Sequence, residues 1–430
     1  MTGAERADPD SRATADPDGA EAGQRGVGGH ASTDEADVRA RMVWSALVEP
    51  GDVVGGTLVE HLGAVDALHW VRQGVEGVSR AHWQALEERG GPLSPPVRAR
   101  IAAAASRWSG RLADIDPDRD REELDRLGGV LLVPGDPRWP AGLADLAAEA
   151  PFCLWVRGAP DLRAMLGRAV ALVGSRASTT YGERVAFDLA DGLTGRGATV
   201  ISGGAYGIDA AAHRGAVARD GATLVVLAGG VDRAYPAGNA RLLEAVVAAG
   251  GALVSEVPPQ SLPTKSRFLQ RNRLIAAAGR ATVVVEAAWR SGAMSTANHA
   301  ARLLRPVGAV PGPVTSAASA GCHRLLRDGV AVCVTDADEV SELAGLTGAD
   351  AVAADVAADA RARRPTDHLD PVTRRVLEAL PRRTAAEAGR VAASAGVSAA
   401  EANAALGLLE LDGWAVRRGN AWLLAQMSER

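Results

Sequence analysis

Lysine is nearly absent from this 430-residue chain: Lys265 stands alone, and the other 46 of its 47 basic residues are arginine. Alanine is abundant, which points to genome base composition more than to chemistry, so only the placement of the arginines informs. Cysteine is scarce as well. Cys153, Cys322 and Cys333 are odd in number and lack CxxC spacing, which argues against a disulfide framework or structural zinc and leaves a reduced, cytoplasmic setting as the expectation. No uninterrupted apolar run approaches the ~20 residues needed to span a bilayer. The N-terminus is acidic and polar where a secretory leader is basic and then apolar, so the chain reads as neither secreted nor membrane-spanning. Two nucleotide signatures are missing too: there is no GxxxxGK[ST], and no GxGxxG with an acidic ribose partner. ATP-driven and NAD-dependent readings lose weight accordingly, and no cofactor is expected.

What is present is a chain with 47% apolar residues, long enough for two or three domains with a real core. The net charge of −5 conceals a strong asymmetry: residues 1–37 hold nine Asp/Glu against three Arg, which leaves the remainder close to neutral. Within that remainder, the stretch from Ser255 to Arg305 holds eight basic residues against two acidic ones. An anionic partner is expected there.

Residues 1–37, rich in Asp, Gly, Ala and Pro without apolar periodicity, read as a disordered acidic tail. Residues 38–128 show helical spacing, with Leu58-Val59-Glu60-His61-Leu62-Gly63 and Asp66-Ala67-Leu68 as helix, glycine turn, helix. This is a small helical domain of helix-hairpin-helix or SAM-like type, with plain helical packing the blander reading. Residues 129–335 carry short β-branched runs at roughly 25- to 30-residue spacing: Ala169–Val173, Thr199–Ser202, Thr223–Leu227, Ala252–Ser255, Thr282–Val285, Val307–Val310 and Val330–Val334. Such runs, with Ala/Leu-rich helical segments between most of them, specify an α/β fold: a Rossmann-like, doubly wound, mostly parallel sheet. Residues 336–367 read as a linker. Residues 368–425 have the outline of a winged helix: helices Pro371–Leu380, Ala385–Ala395 and Ser398–Leu411, then a two-stranded wing over Gly413–Leu423. The recognition-helix position contains no Arg or Lys, so protein contact or weak duplex binding is expected of this unit in preference to sequence-specific readout.

Three glycine turns at strand ends are candidates for phosphate. Gly174-Ser175-Arg176 offers amides, a hydroxyl and a bidentate cation. Ser202-Gly203-Gly204-Ala205-Tyr206-Gly207 packs its glycines more densely than composition explains. Ser291-Gly292, with Ser295 and Thr296 following, supplies the third. Asp209 and His213 share a helix face, but capping of the glycine loop and a local hydrogen bond are stronger readings than metal or acid–base work; likewise Cys322-His323 reads as packing. No catalytic residue and no metal site are expected. The basic stretch Lys265, Arg267, Phe268, Arg271, Asn272 and Arg273 adds phosphate contacts and a stacking ring, a combination that suits single-stranded nucleic acid better than a duplex groove.

Taken in order, these motifs resemble the DNA-processing protein A (DprA/Smf) family. They are VGSR from Val173, SGG-x-x-GIDAAAH from Ser202, LAGGVDRAYP-x-x-N from Leu227, SE-x-PP from Ser255, F-x-x-RNRLIA from Phe268, Val283–Ala287 with Ser291–Thr296, and VPGPV-x-x-x-x-SAG from Val310. The resemblance implies a dimeric single-stranded DNA-binding protein that protects incoming strands in natural transformation and helps load a RecA-type recombinase. It assigns the pocket to Gly174, Ser175, Arg176, Ser202, Gly203, Gly204 and Gly207, with Arg271, Asn272 and Arg273 as the opposite wall and Ser291, Gly292, Ser295 and Thr296 at the neighbouring turn. Glu286 is given the task of organising its turn. Tyr206 stands where the family is commonly basic, so one phosphate contact is expected either to be missing there or to be replaced by stacking or by Lys265. Arg176→Ala or Arg271→Ala is expected to weaken strand binding without unfolding the chain. The alternative is an enzyme resembling nucleoside-monophosphate phosphoribohydrolases, whose PGG-x-GT-x-x-E turn is replaced here by Ser291–His299 without the glutamate.

Overall fold

In a computed structural model the structure describes residues 34–73, 79–345, 369–381 and 385–425. Residues 1–33 of the expected acidic tail and most of the expected linker lie outside them. The chain divides into two compact units at Ala344 and Gly345.

The first unit opens with helices α1 (Glu35–Leu47), α2 (Val53–Leu62), α3 (Ala64–Gln73), α4 (Arg80–Gly90), α5 (Pro95–Ser109) and α6 (Pro117–Arg126). The chain is already helical at Glu35, inside the segment expected to be disordered, because the Asp34 carboxylate accepts from the Ala36 amide. The Asp52, Ser79 and Asp116 side chains cap α2, α4 and α6 in the same way. Trp44, Trp70 and Trp108 fill the shared core. Buried indoles need a partner for the N–H: Trp44 Nε1 donates to Ala64 O at 3.0 Å and Trp70 Nε1 to His82 O at 3.1 Å.

The sheet that follows consists of β1 (Val130–Leu132), β2 (Leu154–Gly158), β3 (Ala169–Val173), β4 (Thr199–Ser202), β5 (Thr223–Val226), β6 (Ala252–Ser255), β7 (Ala281–Val284), β8 (Val307–Ala309) and β9 (Val332–Cys333). Their spatial order is β1-β2-β6-β5-β4-β3-β7-β8-β9. The seven strands from β3 to β9 run parallel, and β2 and β1 extend the β6 edge antiparallel. The connections are α7 (Leu162–Met165), α8 (Thr180–Thr194), α9 (Ile208–Ala218), α10 (Ala240–Ala248), α11 (Lys265–Ala278), α12 (Gly292–Arg302), α13 (Ala320–Arg327) and α14 (Ala337–Ala344). In β3, Ala169, Ala171 and Val173 join the core on one face, and Val170 and Leu172 the core on the other. Burial on both faces is why the parallel strands read as continuous apolar runs.

The order reverses between β3 and β7, the position at which an open α/β sheet leaves a crevice at its strand ends. Three expectations need correction. The strands β1 and β2 were not among the expected runs although both lie in apolar stretches, Val130–Val133 and Phe152–Val156; they pair antiparallel, outside the regular strand–helix alternation that marks the parallel strands. β9 is a short, exposed edge strand instead of a buried one. Residues 337–344 are helical and pack on α8, so the expected linker does not begin at 336.

The second unit contains α15 (Pro371–Ala379), β10 (Ala386–Glu387), α16 (Ala388–Ala395), α17 (Ala399–Leu411), β11 (Ala415–Arg418) and β12 (Ala421–Leu424). Gly396 ends α16 in the left-handed region at φ 64°, and Ser398 and Glu401 form a capping box at the start of α17. The wing is a three-stranded sheet, β10-β12-β11, where two strands were expected, because Ala386–Glu387 pairs with β12 instead of extending α16. Among the described residues no helix is long and apolar enough to cross a membrane.

Candidate nucleic-acid interface

At the carboxyl ends of β3, β4 and β7 lies a cavity of about 600 Å³. Its floor is set by the turn after β3. The Ser175 amide donates to Glu286 O at 2.7 Å, and the Glu286 carboxylate accepts from the Thr179 amide at 2.9 Å and the Thr179 hydroxyl at 2.6 Å. Glu286 is buried and so holds this loop without facing the cavity. Arg176, on the same turn, is exposed and has no acidic partner among the described residues.

The turn after β4 is built by Asp209, at the start of α9. Its Oδ2 accepts from the Gly203 and Ala205 amides at 3.2 and 3.3 Å. Burial pushes the Asp209 carboxyl above the usual range, against the pull of the Arg271 charge. Gly207 turns the chain at φ 76°, and a Cβ there would lie 2.3 Å from Ser175 O, so the β3 and β4 turns pack as one piece. His213 on α9 is buried; its Nδ1 lies 2.8 Å from the Thr223 hydroxyl, which itself donates to Val200 O. It serves the packing of α9 on β5.

Helix α11 supplies the opposite wall, and the whole basic stretch from Lys265 to Arg273 lies within it. Thr264 caps it by accepting from Arg267 N at 3.2 Å. Arg271 donates to Gly203 O at 2.7 Å and also to Val226 O. Gly203 is required by this approach, since a Cβ would fall 2.3 Å from the guanidinium. Burial lowers the Arg271 pKa to about 10, which leaves it charged at neutral pH, and its buried Nε has no partner among the described residues. Phe268 sits one turn earlier. Arg176 lies over its ring at 4.5 Å from the centroid, Arg271 at 5.9 Å, and Tyr235 packs against it at 5.6 Å. Tyr235 is half exposed, and its place in the cavity wall went unassigned although the motif holding it was legible.

The third side is the start of α12. Ser291 precedes that helix without capping it, and its hydroxyl is buried with no partner among the described residues. Ser291, Gly292 and Thr296 reach the cavity, with the first helical amides behind them. Asn272 Nδ2 donates to Gly292 O at 3.2 Å and ties α11 to this turn.

The structure thus brings together Gly174, Ser175, Arg176, Lys265, Phe268, Arg271, Asn272, Ser291, Gly292 and Thr296. It places other expected residues elsewhere. Arg273 is fully buried on the far face of α11, where it holds Glu256 at 2.6 and 2.8 Å; a helix cannot present positions 271 and 273 to the same side. Arg267 forms a two-pronged pair with Glu49 at 2.9 and 3.0 Å and keeps that carboxyl below the usual range. Ser202 is buried and donates to Leu172 O at 2.6 Å. Gly203, Gly204 and Gly207 shape the turn behind the cavity, Tyr206 faces Gly238, and Ser295 lies outside the wall. Cys322 is buried beside Val284 O and His323 lies 3.0 Å from Gly312 O, which is packing.

Residues 130–345 match the family described as DNA recombination-mediator protein A, and residues 360–420 the DprA winged helix domain. The putative DNA processing protein DprA of Mycobacterium tuberculosis is 43% identical over 395 residues, covering 89% of this chain and 93% of the relative. The DNA processing protein DprA of Streptococcus pneumoniae is 35% identical over 207 residues, 48% of this chain and 72% of the relative. A solved structure of DNA processing protein A from Streptococcus pneumoniae superposes with a TM-score of 0.54 at 28% identity, covering 71% of this chain and 97% of that one. Identity of 43% across about nine-tenths of both sequences, together with the family matches over residues 130–345 and over the winged helix, means that the chain belongs to the DNA recombination-mediator protein A (DprA/Smf) family of DNA-processing proteins.

Proposed function

We propose that this protein binds single-stranded DNA in the cavity at the ends of β3, β4 and β7, shields incoming strands, and promotes loading of a RecA-type recombinase onto them. It acts in the cytoplasm as a homodimer without a cofactor and does not break covalent bonds. One observation carries the binding step: three cations, exposed Arg176, exposed Lys265 and buried Arg271, converge on a cavity with two aromatic rings at its mouth. The cations and the α12 amides suit phosphates, and Phe268 and Tyr235 suit bases, whose π-faces stack without regard to sequence. The acid on the wall, Asp209, is engaged by two backbone amides, which favours a binding role over acid–base catalysis. The recombinase, the dimer and the cytoplasmic setting rest on kinship with the family.

The test is a mobility-shift titration of a dT oligomer, with matched duplex as competitor, at two salt concentrations. The expected result is length-dependent, salt-sensitive preference for the single strand. The Arg176→Ala/Lys265→Ala double variant should lower the salt slope by about 0.7 per lost contact. Unchanged binding by the folded double variant removes the proposed site. Indifference of the unmodified chain to dT, with release of base from AMP, favours a nucleotide hydrolase instead.

A further inference from the structure

Of the nine tryptophans, all within the described residues, Trp289 alone is exposed. It stands in the loop between β7 and α12, outside the cavity, and remains 50% exposed. A half-exposed indole is unfavourable in water and informative when it is held in place. Arg324, from α13, lays its guanidinium 4.7 Å from the centre of the Trp289 ring. Its Nε donates to Asp328 at 3.2 Å, which fixes the guanidinium. The Gly321 amide donates to Ala287 O at 2.7 Å, so α13 is pinned to the loop that carries the indole. Next to it, Arg290 is exposed and has no acidic partner among the described residues.

This arrangement repeats the construction of the cavity mouth, where Arg176 lies 4.5 Å from the centre of the Phe268 ring. In each pair one member sits on a loop that leaves the carboxyl end of a parallel strand, Arg176 after β3 and Trp289 after β7, and the other on a helix, Phe268 on α11 and Arg324 on α13. Neighbouring strands lie ~4.8 Å apart, so the loops after β7 and β8 stand roughly 5–10 Å beyond the β3 turn, within reach of the following nucleotides of an extended strand. Trp289 stands two residues before Ser291, which with Gly292 lines the cavity at the α12 N-terminus beside Arg176 and Phe268. Resting on the single-strand reading above, we propose that Trp289, backed by Arg324 and flanked by Arg290, is a second base-stacking station, which takes a nucleotide beyond those held in the cavity. It extends the DNA path toward the β8 side of the sheet.

The experiment compares dT oligomers of about 4 and about 16 nucleotides, the span of site sizes for single-strand binders, on the full chain. Trp289→Ala should weaken binding of the longer oligomer roughly 5- to 150-fold, the range supplied by stacking one base. Binding of the shorter one should be unchanged, and Trp289→Phe should restore most of the loss. Photocrosslinking of a bromodeoxyuridine oligomer to the unmodified chain should label the peptide containing Trp289. Unchanged affinity for both oligomers in Trp289→Ala, while Arg176→Ala weakens both, overturns the second station and leaves the cavity standing. Failure of the unmodified chain to bind either oligomer overturns the cavity reading, and this one with it.

Discussion

Arg271 anchors the carbonyls of Gly203 and Val226 while its charged guanidinium faces the cavity, so its truncation acts twice. Two buried carbonyls lose their donor, and the buried Asp209 carboxylate loses the charge that offsets its burial. Arg271→Ala is therefore expected to lower stability by about 2–5 kcal/mol as well as to weaken DNA binding, a cost that the motif alone does not convey. Chemical denaturation followed by tryptophan fluorescence measures the first effect. Exposed Arg176 serves as the contrast: its alanine variant should unfold within about 0.5 kcal/mol of the unmodified chain while losing affinity. The composition of the glycine turns made Arg176 legible in the sequence. Burial made Arg271 a different kind of residue, and burial is not written in a motif.

At the scale of the element, α11 is a helix with two charged faces. Phe268, Arg271 and Asn272 face the cavity, whereas Arg267 and Arg273 face Glu49 and Glu256. A run of cations in sequence looks like one patch, but the 3.6-residue period divides it. Arg273→Ala is expected to lower stability by about 3–5 kcal/mol, because Glu256 is left buried without its partner, and to leave the salt slope of DNA binding unchanged in the folded fraction. A calorimetric scan beside the same titration separates the two; a reduced salt slope with an unshifted transition would put Arg273 back in the binding site. Helix α17 shows the converse case. Its lack of cations was legible directly, and the structure leaves Leu408 and Leu411 exposed on it, a poor surface for phosphates.

For the whole molecule, every residue of the cavity belongs to the first unit. A chain ending at Gly345 is expected to keep its affinity for dT within about threefold, a difference of roughly 0.7 kcal/mol. A larger loss in the titration would make the second unit part of the DNA site. The sequence by itself determined the parallel α/β sheet, the winged helix and the location of the glycine turns, since strand burial and glycine turns leave local patterns that survive in one dimension. Only the tertiary structure decided which cations are free and which are spent on Glu49 and Glu256, that Tyr235 joins Phe268, and that β1 and β2 close one edge of the sheet. Those facts depend on residues far apart in the chain meeting in space: a charge is available to DNA only if no distant carboxylate has already taken it.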